Sequence, residues 1–140
     1  MNARYANPLV AAPTRPLPRH VAIIGAGSIG PDIGYYLKSA LPAIELTLVD
    51  VAQAPVDAAL KRLYDYAQKA VARGRMSADE SAAVMRGVRG TVDYDAIRGC
   101  DWVIEAATEN LALKRRIFAE VEARVADDAA ALPLLLLRQF

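Results

Sequence analysis

Three closely spaced glycines follow an apolar run in the stretch VAIIGAGSIG. Gly25, Gly27 and Gly30 have the spacing G-x-G-x-x-G. In this motif the first glycine permits a tight turn, the second lets the backbone approach a diphosphate, and the third lets a helix pack on a strand. Backbone N–H groups and the positive end of the helix dipole then face the phosphates. The predicted phosphate-binding segment is Gly25, Ala26, Gly27, Ser28, Ile29 and Gly30.

An acidic residue stands where a dinucleotide site needs one. Asp50 ends the second predicted strand, twenty residues after Gly30, where a carboxylate accepts hydrogen bonds from an adenosine ribose. The same carboxylate would repel a 2′-phosphate, and the following residues VAQAPVD contain no arginine to bind one, so the sequence favours NAD over NADP. Asp32, in the first turn of the next helix, is compatible with a bound diphosphate only if it points outward.

The elements around these residues alternate between strand and helix. HVAIIG is typical of a strand buried on both faces, and AIELTLVD is the second predicted strand. The segment PDIGYYLKSAL between them predicts a helix with Pro31 in its first turn. An apolar stripe from Val56 to Val71 and a capping box at Ser77 and Glu80 predict two consecutive helices before the third strand, GVRGTV.

The remaining elements complete a doubly wound α/β domain. DWVIEAA predicts the fourth strand, and a final helix is expected to bury one row formed by Leu113, Ile117, Val121 and Val125. We predict a parallel Rossmann sheet with strand order 3-2-1-4-5, right-handed crossovers and a helical pair inserted between strands 2 and 3.

Several of these segments resemble one known family. VAIIGAGSIGPDIG, the inserted helical pair and above all CDWVIEAATENLALKRRIFAEVEA are similar to the N-terminal NAD-binding domain of the 3-hydroxyacyl-CoA dehydrogenase family, from about His20 to Asp128. The most specific piece is IEAATEN followed by a helix that opens LALK. The resemblance implies that Glu109 and Lys114 contact the nicotinamide-side ribose, and that Ala107 belongs to the same cofactor site.

The resemblance also implies a substrate and a reaction. Family members oxidise a 3-hydroxyacyl thioester with NAD while a histidine, oriented by a glutamate, takes the hydroxyl proton. The long helix after the second strand meets coenzyme A, and Lys69 or Arg73 could do so here. His20 is the one histidine of the chain and precedes the first strand, whereas ligands bind at the carboxyl ends of parallel strands. We therefore expect no catalytic residue in this chain.

The C-terminal residues depart from the family pattern. The family continues into a strand and loop rich in Asn, Ser and Thr, whereas this chain reads AALPLLLLRQF. We expect a domain that is truncated before the catalytic histidine. The predicted organisation is a Pro-rich extended arm over residues 1–19, an NAD-binding domain over 20–131, and an atypical end over 132–140 that could serve as a fifth strand.

Two classes of function remain open from the sequence. The first is the cofactor half of an NAD-dependent 3-hydroxyacyl-CoA dehydrogenase of fatty-acid β-oxidation or butanoyl metabolism, inactive alone or completed by a separately encoded partner. The second is a non-catalytic dinucleotide-binding module or sensor. A third option is a flavin site, because the glycine fingerprint serves both cofactors.

Composition limits the other partners. The chain has 140 residues, is 54% hydrophobic and carries a formal charge of +1, with its basic residues scattered. We expect no nucleic-acid, membrane or metal partner. Cys100, the single cysteine, is expected to be a small buried hydrophobe, and a cytoplasmic location is the default. We also expect self-association, as a dimer, because an unpartnered domain would expose apolar surface.

Overall fold

The protein is a parallel sheet with helices on both of its faces. The computed structural model describes residues 16–107, 110–125 and 130–133. Its strands are β1 His20–Ile24, β2 Glu45–Val49, β3 Val88–Thr91, β4 Trp102–Glu105 and β5 Ala130–Pro133. Its α-helices are α1 Gly30–Ala40, α2 Gln53–Ala72, α3 Ala78–Met85 and α4 Leu111–Glu122, and a short 3₁₀ helix spans Tyr94–Ile97. None of these described helices is long and apolar enough to cross a membrane.

The strand order is β3-β2-β1-β4-β5, and all neighbouring strands pair in parallel. The predicted doubly wound topology is therefore confirmed, including the pair of helices, α2 and α3, between β2 and β3. The order reverses between β1 and β4, because the chain builds outward from β1 in one direction and then crosses back to its other side. Such a switch point leaves a crevice at the carboxyl ends of the two strands.

The fifth strand begins slightly before its predicted position. We placed a fifth strand within residues 132–140, whereas β5 spans Ala130–Pro133 and pairs with β4 from Trp102 to Glu105. Pro133 ends an edge strand of the described sheet, a position where the missing N–H of proline is tolerated. Residues 134–140 and the arm residues 1–15 lie outside the described part of the chain.

Successive residues of β1 supply the two halves of the core. Val21 and Ile23 pack with residues of β2 and α2 on one face, whereas Ala22 and Ile24 pack with Val103 and α4 on the other. This alternation explains why the strand reads as an uninterrupted apolar run. Cys100 belongs to the second cluster, and burial raises the pKa of its thiol to about 12, so the predicted packing role is confirmed.

The α2–α3 pair follows the sequence signals closely. Val56, Leu63 and Ala67 of the predicted stripe are buried in α2, and the Ser77 side chain accepts from the Glu80 amide while the Glu80 carboxylate accepts from the Ser77 amide. These reciprocal bonds satisfy two N–H groups that the start of α3 would otherwise leave unpaired. The capping box is therefore confirmed.

The buried row of α4 is shifted from the predicted one. Ile117 and Val121 are buried as expected, but Leu113 is exposed and Lys114 takes its place on the inner face. The reason is electrostatic: the Lys114 ammonium forms an ion pair with the buried Glu105 carboxylate at the end of β4. A sequence pattern that assigns lysine to the solvent face cannot anticipate this pairing.

A buried lysine ties the α2–α3 pair to the rest of the fold. Lys38, at the end of α1, is fully buried, and its ammonium donates to the carbonyl oxygens of Pro42 at 2.5 Å, Ile44 at 2.7 Å and Arg86 at 2.7 Å. These bonds use all three of its donors. Burial, together with the nearby Arg86 charge, lowers the pKa of Lys38.

We expect Lys38→Met to destabilise the protein by about 2 kcal/mol, because three buried or partly buried carbonyl groups would lose their donor. The thermal midpoint should fall by about 5–10 °C. Lys61→Met is the matched control, because the exposed Lys61–Asp65 pair on α2 contributes little, roughly 0.5 kcal/mol or less. Equal midpoints for the two variants in thermal denaturation would show that the buried bonds carry no net stability.

Candidate dinucleotide-binding site

The glycine segment forms the turn between β1 and α1 at the carboxyl edge of the sheet. The Gly25 amide donates to the Val49 carbonyl at 2.7 Å, and the Ala106 amide donates to the Ile24 carbonyl at 2.7 Å. The turn therefore lies between the ends of β2 and β4, directly at the switch point of the sheet. This is the place where open α/β sheets bind their ligands.

The three motif glycines are surrounded very differently. Gly25 has φ +108°, and a Cβ there would lie 2.7 Å from the backbone of Ala106 and Ala107. A Cβ on Gly30 would lie 1.9 Å from the Gly25 carbonyl oxygen, whereas a Cβ on Gly27 would meet nothing within 4 Å. The turn and packing roles of Gly25 and Gly30 are thus confirmed, and Gly27 faces open space that a ligand could fill. Contact with a cofactor stays a prediction.

The start of α1 presents unpaired donors. Ile29 occupies the N-cap position without a side-chain cap, and the amides of Gly27, Ser28 and Ile29 donate to no other described residue. The dipole of this helix places partial positive charge at the same point. N–H groups and a helix N-terminus of this kind favour an anion, and a diphosphate has the oxygen acceptors to match.

Asp50 is joined to the glycine turn itself. One of its carboxylate oxygens accepts from the Ala26 amide at 2.9 Å, and the other accepts from the Val51 amide at 2.7 Å. These bonds fix the carboxylate beside the turn, just after the end of β2. Each oxygen accepts more than one hydrogen bond, so the group retains capacity for the hydroxyls of a sugar.

Asp32 points away from the turn, which removes the conflict raised by its charge. Its carboxylate lies 3.0 Å from the Arg62 guanidinium and accepts a hydrogen bond from the Tyr66 hydroxyl at 2.8 Å, both on α2. Its negative charge is therefore paired on the α2 side of α1. The Arg62 and Tyr66 contacts leave the glycine turn available to a second anion.

A buried ion pair completes the edge on the β4 side. Glu105 is fully buried and Lys114 nearly so, and the Lys114 ammonium donates to one Glu105 carboxylate oxygen. The other oxygen accepts from the Ala107 amide at 2.7 Å. Ala107 and Lys114, both predicted for the cofactor, are thus brought together by Glu105, which sequence reasoning missed. Glu109, also predicted for the cofactor, lies outside the described residues.

His20 occupies the opposite edge. It is the first residue of β1, about 13 Å of strand away from the glycine turn, and its Nε2 lies 2.8 Å from the Thr47 hydroxyl. Partial burial and the charge of Arg89 lower the pKa of His20. Its position agrees with the expectation that it takes no part in chemistry at the carboxyl edge.

Comparison with known proteins decides the family. A family model described as 3-hydroxyacyl-CoA dehydrogenase, NAD binding domain, matches residues 20–132. The chain belongs to this family. Its NAD-binding domain is the part matched, so the cofactor predicted from Asp50 agrees with the family, and the flavin alternative loses its support.

Three named proteins are similar to this chain in sequence or structure. The fatty acid oxidation complex subunit alpha of Colwellia psychrerythraea is 33% identical over 108 residues, which cover 77% of this chain and 15% of that protein. The (S)-3-hydroxybutyryl-CoA dehydrogenase of Ralstonia eutropha superposes with a TM-score of 0.77 at 25% identity, over 84% of this chain and 41% of that one. FadB2 of M. tuberculosis gives 0.76 at 30% identity, over 83% and 40%. The chain thus spans less than half the length of each of these three relatives.

The two basic residues predicted for coenzyme A lie together in this family domain. Lys69 and Arg73 are exposed and line a cleft of about 650 Å³ between α1, α2 and the turn after α2. Arg75 adds a third positive charge, and the Tyr35 and Tyr66 rings meet edge to face there, with centroids 5.2 Å apart. Asp32, which is paired with Arg62, contributes one carboxylate, so the cleft combines a net positive charge with aromatic surface.

Proposed function

We propose that this chain binds NAD as the cofactor half of a 3-hydroxyacyl-CoA dehydrogenase. The observation that carries the proposal is the glycine turn, where unpaired amides, open space at Gly27 and the Asp50 carboxylate converge at the switch point of the sheet. The diphosphate would lie against the segment 25–30, and Asp50 would accept from the adenosine ribose. Ala107, Glu109 and Lys114 would serve the nicotinamide half.

The protein's part in the reaction is binding and orientation. The NAD that segment 25–30 and Asp50 would hold would supply the hydride acceptor for the oxidation of a 3-hydroxyacyl thioester at C3 to the 3-ketoacyl form. Asp50 would disfavour a 2′-phosphate, so NAD rather than NADP is the proposed cofactor. The proton acceptor would come from elsewhere, because His20 lies at the amino edge of the sheet.

The substrate side of the proposal rests on the cleft beside α2. Lys69 and Arg73 would attract the phosphates of an acyl-CoA, with Arg75 as a third cation. A Lys69→Ala, Arg73→Ala double variant should bind coenzyme A about tenfold more weakly while its affinity for NADH stays the same. Unchanged coenzyme A binding in calorimetry would show that the substrate site does not include Lys69 and Arg73.

We extend the proposal to assembly and location. Leu111 and Leu113 are exposed at the start of α4 beside the candidate site, and apolar surface of this kind supports a homodimer. A strictly monomeric sedimentation profile at high concentration would contradict the homodimer.

A cytoplasmic location is proposed on the single, buried cysteine and the acyl-CoA chemistry of the family.

The central test is a titration of the 140-residue protein with NADH, followed by cofactor fluorescence, together with an assay of NAD reduction by a 3-hydroxyacyl-CoA at high protein concentration. We expect saturable binding and no turnover by the chain alone. Absence of binding would refute the proposal. Robust turnover would refute its statement that the proton acceptor lies outside this chain.

The alternative, a dinucleotide-binding module without a catalytic partner, is favoured by one observation, the absence of a histidine from the candidate site among the described residues. The alternative also predicts NADH binding. Addition of a second polypeptide that contains a catalytic histidine distinguishes the two hypotheses, because it would restore turnover to an enzyme half but not to a sensor.

A further inference from the structure

Glu105 and Lys114 are charged, yet both are buried. Glu105 has no exposed surface and Lys114 retains 5%, and the two form an ion pair. Taking two charges out of water is expensive, and a well-packed apolar pair of similar volume is often as stable. The pair therefore calls for an explanation other than stability.

The position of the pair links it to the glycine turn. Glu105 is the last residue of β4 and also holds the Ala107 amide. The backbone of Ala106 and Ala107 is in turn so close to Gly25 that a Cβ on that glycine would lie 2.7 Å from it. Glu105 thus connects the β4–α4 loop, the first turn of α4 and the floor of the crevice at the switch point.

The ammonium of Lys114 has more donors than the described residues use. It carries three N–H groups, and among the described residues only Glu105 accepts from it. The pair lies on the β4 side of the turn, whereas Asp50 lies on the β2 side. In a dinucleotide laid across the switch point, these two sides face opposite halves of the ligand.

We propose that Glu105 is a positioning residue for the nicotinamide half of the cofactor. Its carboxylate holds the Lys114 ammonium and the Ala107 backbone at the edge of the switch-point crevice, so that the remaining Lys114 donors meet the oxygens of the second ribose. Because this assignment builds on the proposed binding of NAD, its test must separate the two halves of the ligand.

The experiment compares the affinities of the full chain and its Glu105→Gln variant for NADH, ADP-ribose and ADP. All three ligands share the adenosine diphosphate, whereas the second ribose is absent from ADP. Glutamine keeps an oxygen for the Ala107 amide but loses the charge that holds Lys114. We expect Glu105→Gln to lower the affinity for NADH and ADP-ribose about tenfold or more, and the affinity for ADP by no more than about twofold.

Further variants sharpen the result. Glu120→Gln removes the ion pair between the exposed Glu120 on α4 and Arg124 just after that helix, and it should leave all three affinities unchanged. The double variant Glu105→Gln, Lys114→Gln leaves no buried charge unpaired, so it tests the pair if Glu105→Gln fails to fold. Because Glu105 acts through Lys114, the double variant should bind the three ligands as Lys114→Gln alone does, and a further selective loss on adding Glu105→Gln would contradict a role through Lys114.

A loss shared equally by NADH, ADP-ribose and ADP, or no loss for any of them, would overturn the positioning role. A wild-type protein that binds none of the three would instead refute the proposed function. The selectivity between ligands also separates positioning from simple structural support, because general damage to the glycine turn would lower the affinity for ADP as much as the affinity for NADH.

Discussion

Gly30→Ala should destabilise the protein severely, whereas Gly27→Ala should leave the fold intact and remove cofactor binding. A Cβ at residue 30 would lie 1.9 Å from the Gly25 carbonyl oxygen, which belongs to the backbone and cannot rotate aside. Overpacking of this kind costs about 3 kcal/mol, so the thermal midpoint should fall by about 10 °C. NADH binding should be lost with the turn.

The Gly27→Ala variant tests cofactor binding separately from folding. A Cβ there meets no protein atom within 4 Å, and Gly27 is not among the glycines with positive φ, so the free energy of unfolding should change by less than about 1 kcal/mol. The methyl group would occupy the space proposed for the diphosphate. We expect NADH affinity to fall at least about tenfold, or about 1.4 kcal/mol.

Thermal denaturation and NADH titration of both variants test this pair of expectations. Gly34→Ala on α1 is a useful comparison, because its Cβ would lie 2.9 Å from the flexible Leu46 side chain, away from the turn. Its effect should be on stability alone. If Gly27→Ala binds NADH as well as the wild type, the diphosphate does not lie against this turn.

The sequence predicted the topology because each element carried its own local signal. The apolar run of β1, the Ser77–Glu80 capping box and the stripe from Val56 each depend on neighbours close in the chain. The glycine turn was predicted for the same reason, since its function needs backbone geometry and no distant partner. Asp50 followed because it comes directly after β2, whose carboxyl end lies at the same edge of the sheet.

The contacts that sequence reasoning missed join residues from different elements. Glu105 and Lys114 lie nine residues apart, on a strand and a helix, and either residue alone is typical of a solvent-exposed position. The exposure of Leu113 follows from the same pair, since α4 turns Lys114 inward. The outward direction of Asp32 likewise depends on Arg62, thirty residues along the chain. A pattern in one segment carries no information about such partners.

The loss of the Asp50 charge should be the most direct test of the cofactor assignment. Asp50→Asn keeps an oxygen that can accept from the Ala26 amide, so the turn should persist, with thermal stability reduced by no more than about 1 kcal/mol. The ribose would lose charge-assisted hydrogen bonds worth about 1.5–3 kcal/mol, so NADH affinity should fall about tenfold to a hundredfold. NADPH should gain relative to NADH, because the repulsion of the 2′-phosphate is removed.

Asp32→Asn is the matched control, because this carboxylate also lies near the start of α1 but is paired with Arg62 and Tyr66 on α2. Its loss should leave both affinities within about twofold. Calorimetric titrations of the two variants with NADH and NADPH therefore separate a local hydrogen bond from a general change of charge. Equal NADH binding by Asp50→Asn and the wild type would remove Asp50 from the ribose, and with it the argument for NAD over NADP. An equal effect of both variants would mean that bulk electrostatics, not the position of one carboxylate beside the glycine turn, controls binding.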